Sequence, residues 1–453
     1  MVFSRYLLSL SNVRFLLCLW AVTLAGSVHA AGSTNTAARP ATNRPALTPS
    51  ATNRTPLTPS TAAMPPAVTT APTNAAAPFD VAAVEHDRIL NMAMNALTAE
   101  PVTITKYHAE YSQGTANDFF SQGDSWFPDT NSDNGLPFRQ HAGQINPDNF
   151  NNHKLCLMNM RDNVAALAAA YKITGNNRYA SVAAEWLRVF FLDPATRMNP
   201  NLAYAQAVPG VYKGRIIGIS DVAALIEIPK AVETLQASSS FPPEVVSGMK
   251  QWATNYLDWL TGSTNGDEVA ELGNNHTIAY WLHVAAYAKF IDDQDRLDSC
   301  NNRFKLFLLP TVSADGSFGH IPKMRSYSTS VTVAEYMGAA CQILSTPDNN
   351  LWQFAASNGR TFRSMFEFIY LYLDDPSKWT KPMESDEKAW PPREACMVFA
   401  GLAYNEPKYL ALWKKMHPDP TREDVRRYVV VSQPVLWINN SIIAGQKTSG
   451  TED

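Results

Sequence analysis

The sequence predicts an all-α fold, an (α/α) toroid or incomplete barrel of helical hairpins. Three observations predict it. Apolar residues recur three and four apart through most of the chain beyond residue 79; turn signals such as Thr174-Gly175-Asn176-Asn177 separate these stretches; and runs that alternate apolar with polar residues are few. Helices joined by short loops run antiparallel to their neighbours, and many such hairpins bury their apolar faces by closing on one another. No fixed repeat period marks a solenoid.

The chain opens with the features of a secretory leader over residues 1–30. Arg5 and Arg14 supply positive charge, an apolar run extends from Phe15 to Leu24, and Val28-His29-Ala30 forms a small-x-small site before Ala31. The expectation is a periplasmic or secreted protein with no stable membrane span once the leader is cut. Residues 31–78 are rich in Ala, Thr, Pro, Ser and Asn, and Ala41-Thr42-Asn43-Arg44 recurs as Ala51-Thr52-Asn53-Arg54. Such a segment has too little apolar bulk to offset the entropy of ordering it, so it reads as a disordered linker.

The helical domain is expected over residues 79–440. Its clearest amphipathic stretches are 155–174, 178–191, 217–235, 243–260, 277–291, 303–309, 331–344, 359–372 and 393–402. The best strand-like alternation is 428–436. Residues 118–147 are polar and rich in Gly, Pro and Asn, yet carry Trp126, Phe127 and Phe138. A long loop inside a compact domain is either functional or a wrap over the rim. Residues 441–453 read as a frayed tail.

Composition narrows the function. Of 453 residues, 45% are hydrophobic and 17% charged, with a net charge of -4 and no basic block, so a nucleic-acid partner is not expected. Aromatic residues make up 11%; most belong to a core, and exposed rings suit a carbohydrate cleft. Cys156, Cys300, Cys341 and Cys396 remain after leader removal, enough for two disulfides in three pairings. Their wide spacing is not that of a metal site; no metal or cofactor is expected, and the protein is expected to be a monomer.

Two clusters carry chemistry. Asn274-Asn275-His276 follows Gly273 and precedes the helix holding Tyr280 and Trp281. It reads either as a helix cap or as a set of hydrogen-bond donors. Lys323-Met324-Arg325-Ser326-Tyr327-Ser328 follows the turn Asp315-Gly316-Ser317. It reads either as a surface loop or as a cation beside a phenol. Together they fit elimination from a uronate sugar. The C5 hydrogen lies α to a carboxylate, and removing it requires cations and donors aimed at that carboxylate. A Tyr or His then takes the C5 proton, and an acid protonates the departing O4. Where both events occur on one face of the ring, one Tyr does both.

Several motifs in order resemble the alginate lyase superfamily with (α/α) barrels. They are Gly123-Asp124-Ser125-Trp126-Phe127-Pro128-Asp129 with Gly135-Leu136-Pro137-Phe138 and Gln144-Ile145-Asn146-Pro147; Met198-Asn199-Pro200-Asn201 with Tyr204-Ala205-Gln206, Gly210 and Gly214-Arg215; Asn274-Asn275-His276; and Asp315-Gly316-Ser317 with Met324-Arg325-Ser326. Leu351-Trp352 and Gly359-Arg360 echo a later pattern, and the resemblance covers about residues 85 to 375.

The resemblance implies that Asn275 and His276 neutralise the substrate carboxylate with help from Arg325. His276 is the alternative proton acceptor for the epimeric uronate. The family's tyrosine, about six residues beyond its arginine, has no counterpart here: that spacing from Arg325 lands on Val331, and from Lys323 on Thr329. Tyr327 is the nearest tyrosine and the catalytic candidate, with Tyr280 and Tyr204 in reserve. Glu271 or Glu268 would orient His276. Trp126, Asn199, Tyr204, Gln206, Arg215, Asn274 and Tyr280 are the candidate substrate-binding residues. The implied partner is an acidic polysaccharide, mannuronate-rich alginate or glucuronan. An inverting glycoside hydrolase on the same toroid and a non-catalytic polysaccharide-binding protein are the competing readings.

Overall fold

A computed structural model of the protein describes residues 79–318, 326–380, 392–420 and 422–438. The expected leader, the linker (but for its junction at Phe79), the tail and Arg325 lie outside the described residues.

The helices fall into two layers. The outer helices show one buried stripe: α1 (Val81–Ala96), α3 (Asn177–Leu187), α5 (Pro243–Gly262), α8 (Gln294–Asn302), α10 (Phe362–Asp374) and α12 (Pro407–Lys415). The inner ones are buried nearly all round: α2 (Asn152–Thr174), α4 (Ile228–Leu235), α7 (Asn275–Ile291), α9 (Tyr327–Leu344) and α11 (Ala395–Ala403). A helix apolar around its circumference can only sit inside. Inner helices pack on one another in order, α2 on α4, α4 on α7, α7 on α9 and α9 on α11, and α2, α7, α9 and α11 also pack against outer helices. The expected all-α toroid of hairpins is what the chain forms.

The predicted stretches recur with shifted ends. Residues 188–192 and 303–308 continue α3 and α8 as π-type turns. The stretch 217–235 divides into a 3-10 segment, Ile216–Glu227, kinked at Val222, and then α4. A 3-10 run of this length is uncommon. Helices α1, α8 and α12, the short α6 (Thr264–Glu271) and α13 (Glu423–Arg426) add to those expected.

The strand expected at 428–436 does not form. Residues 429–433 are irregular, with bends at Val430 and Ser432, and Pro434–Trp437 is a 3-10 turn. This segment lies inside the toroid, where no strand neighbours it. The carboxylate of Glu227, fully buried, takes the backbone N–H groups of Ser432 and Gln433, the Ser432 hydroxyl and the Trp437 indole N–H. Arg161 on α2 donates to Val429 O, and Gln342 on α9 donates to Trp437 O. Side chains of the inner helices thus satisfy the backbone that a sheet would otherwise pair.

The loop 118–147 is built rather than loose. Strand β1 (Phe120–Gln122) pairs in parallel with β4 (Tyr204–Ala207), and β2 (Trp126–Phe127) pairs antiparallel with β3 (Arg139–Gln140). Phe138 is buried against Tyr111. All four described cysteines are buried free thiols, so neither disulfide forms, and burial pushes the Cys156 thiol up to about 11.

Candidate active site

The parallel pair β1–β4 brings the loop 118–147 onto the inner ring at the 3-10 segment. Ser121 Oγ and Gln206 Nε2 both donate to Asp221 Oδ2, at 2.6 and 2.8 Å. Gln206, with φ of 53°, also donates its backbone N–H to Ser121 Oγ at 2.8 Å. Arg215 grips Gln206 twice, Nε on its carbonyl and Nη2 on Oε1, each 2.8 Å. This fixes the guanidinium 5.9 Å from the Trp126 ring centroid. Gly123 makes the approach possible, because a Cβ there would stand 2.5 Å from Arg215 Nη2 and 2.7 Å from Trp126 Cδ1. Burial pulls the Arg215 guanidinium below its ordinary value, opposed by Asp221 and Asp124; an arginine so placed remains a cation.

The residue before Asp221 in the 3-10 segment joins this wall to α7. Ser220 Oγ lies 2.7 Å from His276 Nδ1. The Asn274-Asn275-His276 motif serves two purposes. Asn274 is the N-cap: its side chain accepts from His276 N at 2.9 Å, and its own N–H donates to Thr277 Oγ1. Asn275 and His276 occupy the first turn, half-buried, where the helix dipole favours an anion. Among the described residues the Asn275 amide has no hydrogen-bond partner.

Behind Asp221 stands a charged centre. Lys154 on α2 approaches Asp124 at 3.4 Å and Asp221 at 4.0 Å. Arg427 Nη1 pairs with Asp124 Oδ2 at 2.9 Å, and its Nη2 donates to the Tyr428 hydroxyl at 2.8 Å. Burial works to raise the Asp124 carboxyl, but Arg427 and Lys154 outweigh it and hold it below the usual carboxylate range.

Of the predicted site residues, Trp126, Gln206, Arg215 and His276 are joined by this chain of contacts, and Asn275 precedes His276 in the first turn of α7. Others sit elsewhere. Tyr327, the proton-transfer candidate, is fully buried at the start of α9, donates to Tyr372 O and packs edge-on against Trp379. Tyr280 is buried too, with its hydroxyl on Leu260 O, so it is a core residue rather than a binding one. Glu271 is exposed and pairs with Arg303; His276 Nδ1 is met by Ser220 instead. Asn199 ties down the loop at Asp118, donating to its carboxylate at 2.8 Å. Tyr204 is half-buried and packs on Gly114 and Phe120.

Ser220, Asp221, Lys154, Arg427 and Tyr428 were not found by sequence reasoning. Lys154 carried a faint signal, a charge near the start of an apolar helix. Ser220 and Asp221 carried none, and Arg427 bordered, and Tyr428 opened, a stretch read as strand. Chemically, the site offers cations and neutral donors around a half-open wall, with phenols nearby. Among the described residues no group of three or more His, Cys, Asp or Glu side chains is placed to hold a metal ion, and no helix is long and apolar enough to cross a membrane.

The alginate lyase family model matches residues 103–379. Among solved structures the chain is similar to an alginate lyase from Bacteroides ovatus, with 26% identity and a TM-score of 0.64 over 77% of this chain and 94% of that one. It is also similar to alginate lyase A1-III from Sphingomonas species A1, with 14% identity and a TM-score of 0.45 over 70% and 86%. A variant of alginate lyase A1-III complexed with tetrasaccharide gives 15% identity and a TM-score of 0.46 over 75% and 91%. No curated protein matches the chain.

Proposed function

Because this chain belongs to the alginate lyase family and is a polysaccharide lyase, we propose that it cleaves mannuronate-rich alginate by β-elimination in the periplasm or outside the cell. The observation that carries the reading is the link from His276 through Ser220 and Asp221 to Gln206 and Arg215, which joins neutral donors and a cation along one wall. The site of export rests on the leader over residues 1–30.

In this reading the uronate carboxylate of the reacting sugar lies at the first turn of α7. Asn275 and His276 hydrogen-bond it, and Arg325 adds positive charge. As the C5–H bond breaks, electron density moves onto the carboxylate, and donors already in place stabilise that charge without reorganising. A phenol takes the C5 proton. The C4–C5 double bond forms, the C4–O4 bond breaks, and the departing O4 receives a proton. Arg215, with two of its donors spent on Gln206, meets the carboxylate of a neighbouring sugar, and Trp126 beneath it covers that sugar's face.

The test is near-ultraviolet absorbance of the purified protein incubated separately with polymannuronate, polyguluronate and glucuronan. Only elimination creates a double bond conjugated to the carboxylate. The expected result is a rise on polymannuronate that His276→Ala abolishes. A rise confined to glucuronan would reassign the substrate. Saturated products, or binding without cleavage, would overturn the lyase reading.

A further inference from the structure

The lyase reading needs a phenol that substrate can reach, and Tyr327, the tyrosine suggested by sequence, is fully buried. Tyr327 and Tyr280 spend their hydroxyls on backbone carbonyls inside helix interfaces. Tyr336, in the middle of α9, is 1% exposed. Tyr428 differs from all three. It is half-buried, follows α13, and its hydroxyl accepts a hydrogen bond from Arg427 Nη2 at 2.8 Å.

On these grounds, and resting on the lyase reading, we propose that Tyr428 is the catalytic tyrosine, the group that takes the C5 proton and returns a proton to O4. Arg427 is its positioning residue. The guanidinium lies 4.7 Å from the Tyr428 ring centroid and is itself pinned by Asp124 at 2.9 Å, so the donor reaches the phenol oxygen from a fixed direction. A donor on that oxygen favours its ionised form, the form able to accept a proton from carbon. Burial opposes ionisation and makes the phenol a strong base once ionised. Asp124 and Asp221 act electrostatically on both Tyr428 and Arg215, which places the phenol and the sugar-facing cation around one charged centre. Ser220, next to Asp221, extends that centre to His276.

The step balances within the substrate. Ionised Tyr428 takes the C5 proton; the electron pair of that bond forms C4=C5; O4 leaves with the electron pair of its bond to C4 and receives the proton from the Tyr428 hydroxyl. The residue ends as it began. Tyr428 lies beyond residue 379, where the family match ends, so the match itself says nothing of it.

The experiment measures kcat and KM for formation of the unsaturated product, with thermal melting and oligosaccharide binding as controls, on wild type, Tyr428→Phe, Tyr336→Phe and Tyr327→Phe. The assignment expects Tyr428→Phe to lose at least about a hundredfold in kcat with KM within about threefold and an unchanged melt. Tyr327→Phe should keep wild-type kcat. Arg427→Lys keeps the charge but not the fork that joins Asp124 to the phenol, and should lower kcat by about tenfold. A Tyr428→Phe protein turning over at near the wild-type rate, or a loss seen in Tyr336→Phe instead, overturns the assignment and leaves the lyase reading intact. A wild type that forms no unsaturated product on any polyuronate overturns both.

Discussion

Ser220→Ala separates a positioning role for the 3-10 segment from the chemistry of His276. The hydroxyl lies 2.7 Å from His276 Nδ1, and removing it leaves that nitrogen without its described side-chain partner. A hydrogen bond of this kind contributes about 0.5–1.5 kcal/mol net, which converts to roughly a two- to twelvefold loss in rate if the bond serves only to orient the ring. Deleting the imidazole removes a donor used in the transition state, an effect on the order of a hundred- to a thousandfold. Ser220 is half-buried and the change is small, so the fold should tolerate it. Initial rates on polymannuronate, read as the rise of the unsaturated product, give both numbers, and melting curves exclude loss of folded protein. The ordering should be wild type above Ser220→Ala above His276→Ala. A Ser220→Ala enzyme at full rate would show that the 3-10 segment does not orient the histidine. One as impaired as His276→Ala, with an intact melt, would mean that Ser220 itself takes part in the reaction.

Other perturbations probe the interior. Glu227→Ala leaves four described donors of residues 432–437 unmatched in the core and should destabilise by about 3–5 kcal/mol, measured by denaturant unfolding; a loss under 1 kcal/mol would sink the strut role of that segment. Burial, with repulsion from Glu335, raises the Glu394 carboxyl well above 4.5, and burial raises Glu335 as well. The folded state therefore keeps a proton that the unfolded chain releases near that value, and stability falls as pH rises from about 4.5 towards the raised folded value, by about 1.4 kcal/mol per pH unit for one proton. Unfolding of Glu394→Gln across this range should show a flatter slope than wild type; equal slopes would remove the carboxyl pair as its origin. Arg215→Ala should raise KM for polymer more than for a disaccharide-sized substrate, and an equal rise for both would refute its role at a neighbouring sugar.

The fold was legible because helical periodicity is local. Residues 155–174 and 243–260 announce their helices without reference to anything distant. The site was legible only where a motif was contiguous, as at Asn274-Asn275-His276, and even there one asparagine turned out to cap the helix while the next stayed open. The charged centre had no such signature. Arg427 meets Asp124, and Arg161 meets Val429, across hundreds of residues, and no spacing in the sequence announces either pair. The misread strand has the same origin. Alternation at 428–436 implied a strand, but the backbone there is bent at Val430 and Ser432, and carboxylate and guanidinium groups take the place of a neighbouring strand. The burial of Tyr327 was not legible either: proximity to Arg325 in sequence says nothing about which side of α9 faces the core.

The segment 429–437 sets an order on assembly. Its anchors on Arg161 and Glu227 lie 268 and 205 residues earlier. Closing the inner ring without it would bury Glu227 and Arg161 without the backbone groups they hydrogen-bond, so closure around an empty centre is disfavoured. Helical hairpins can form as they are made, since their contacts are short-range, but the final packing waits on a loop closure spanning more than half the molecule. A chain ending before residue 429 is therefore expected to leave the ring open, with a rigid cleft acquired only as this segment enters.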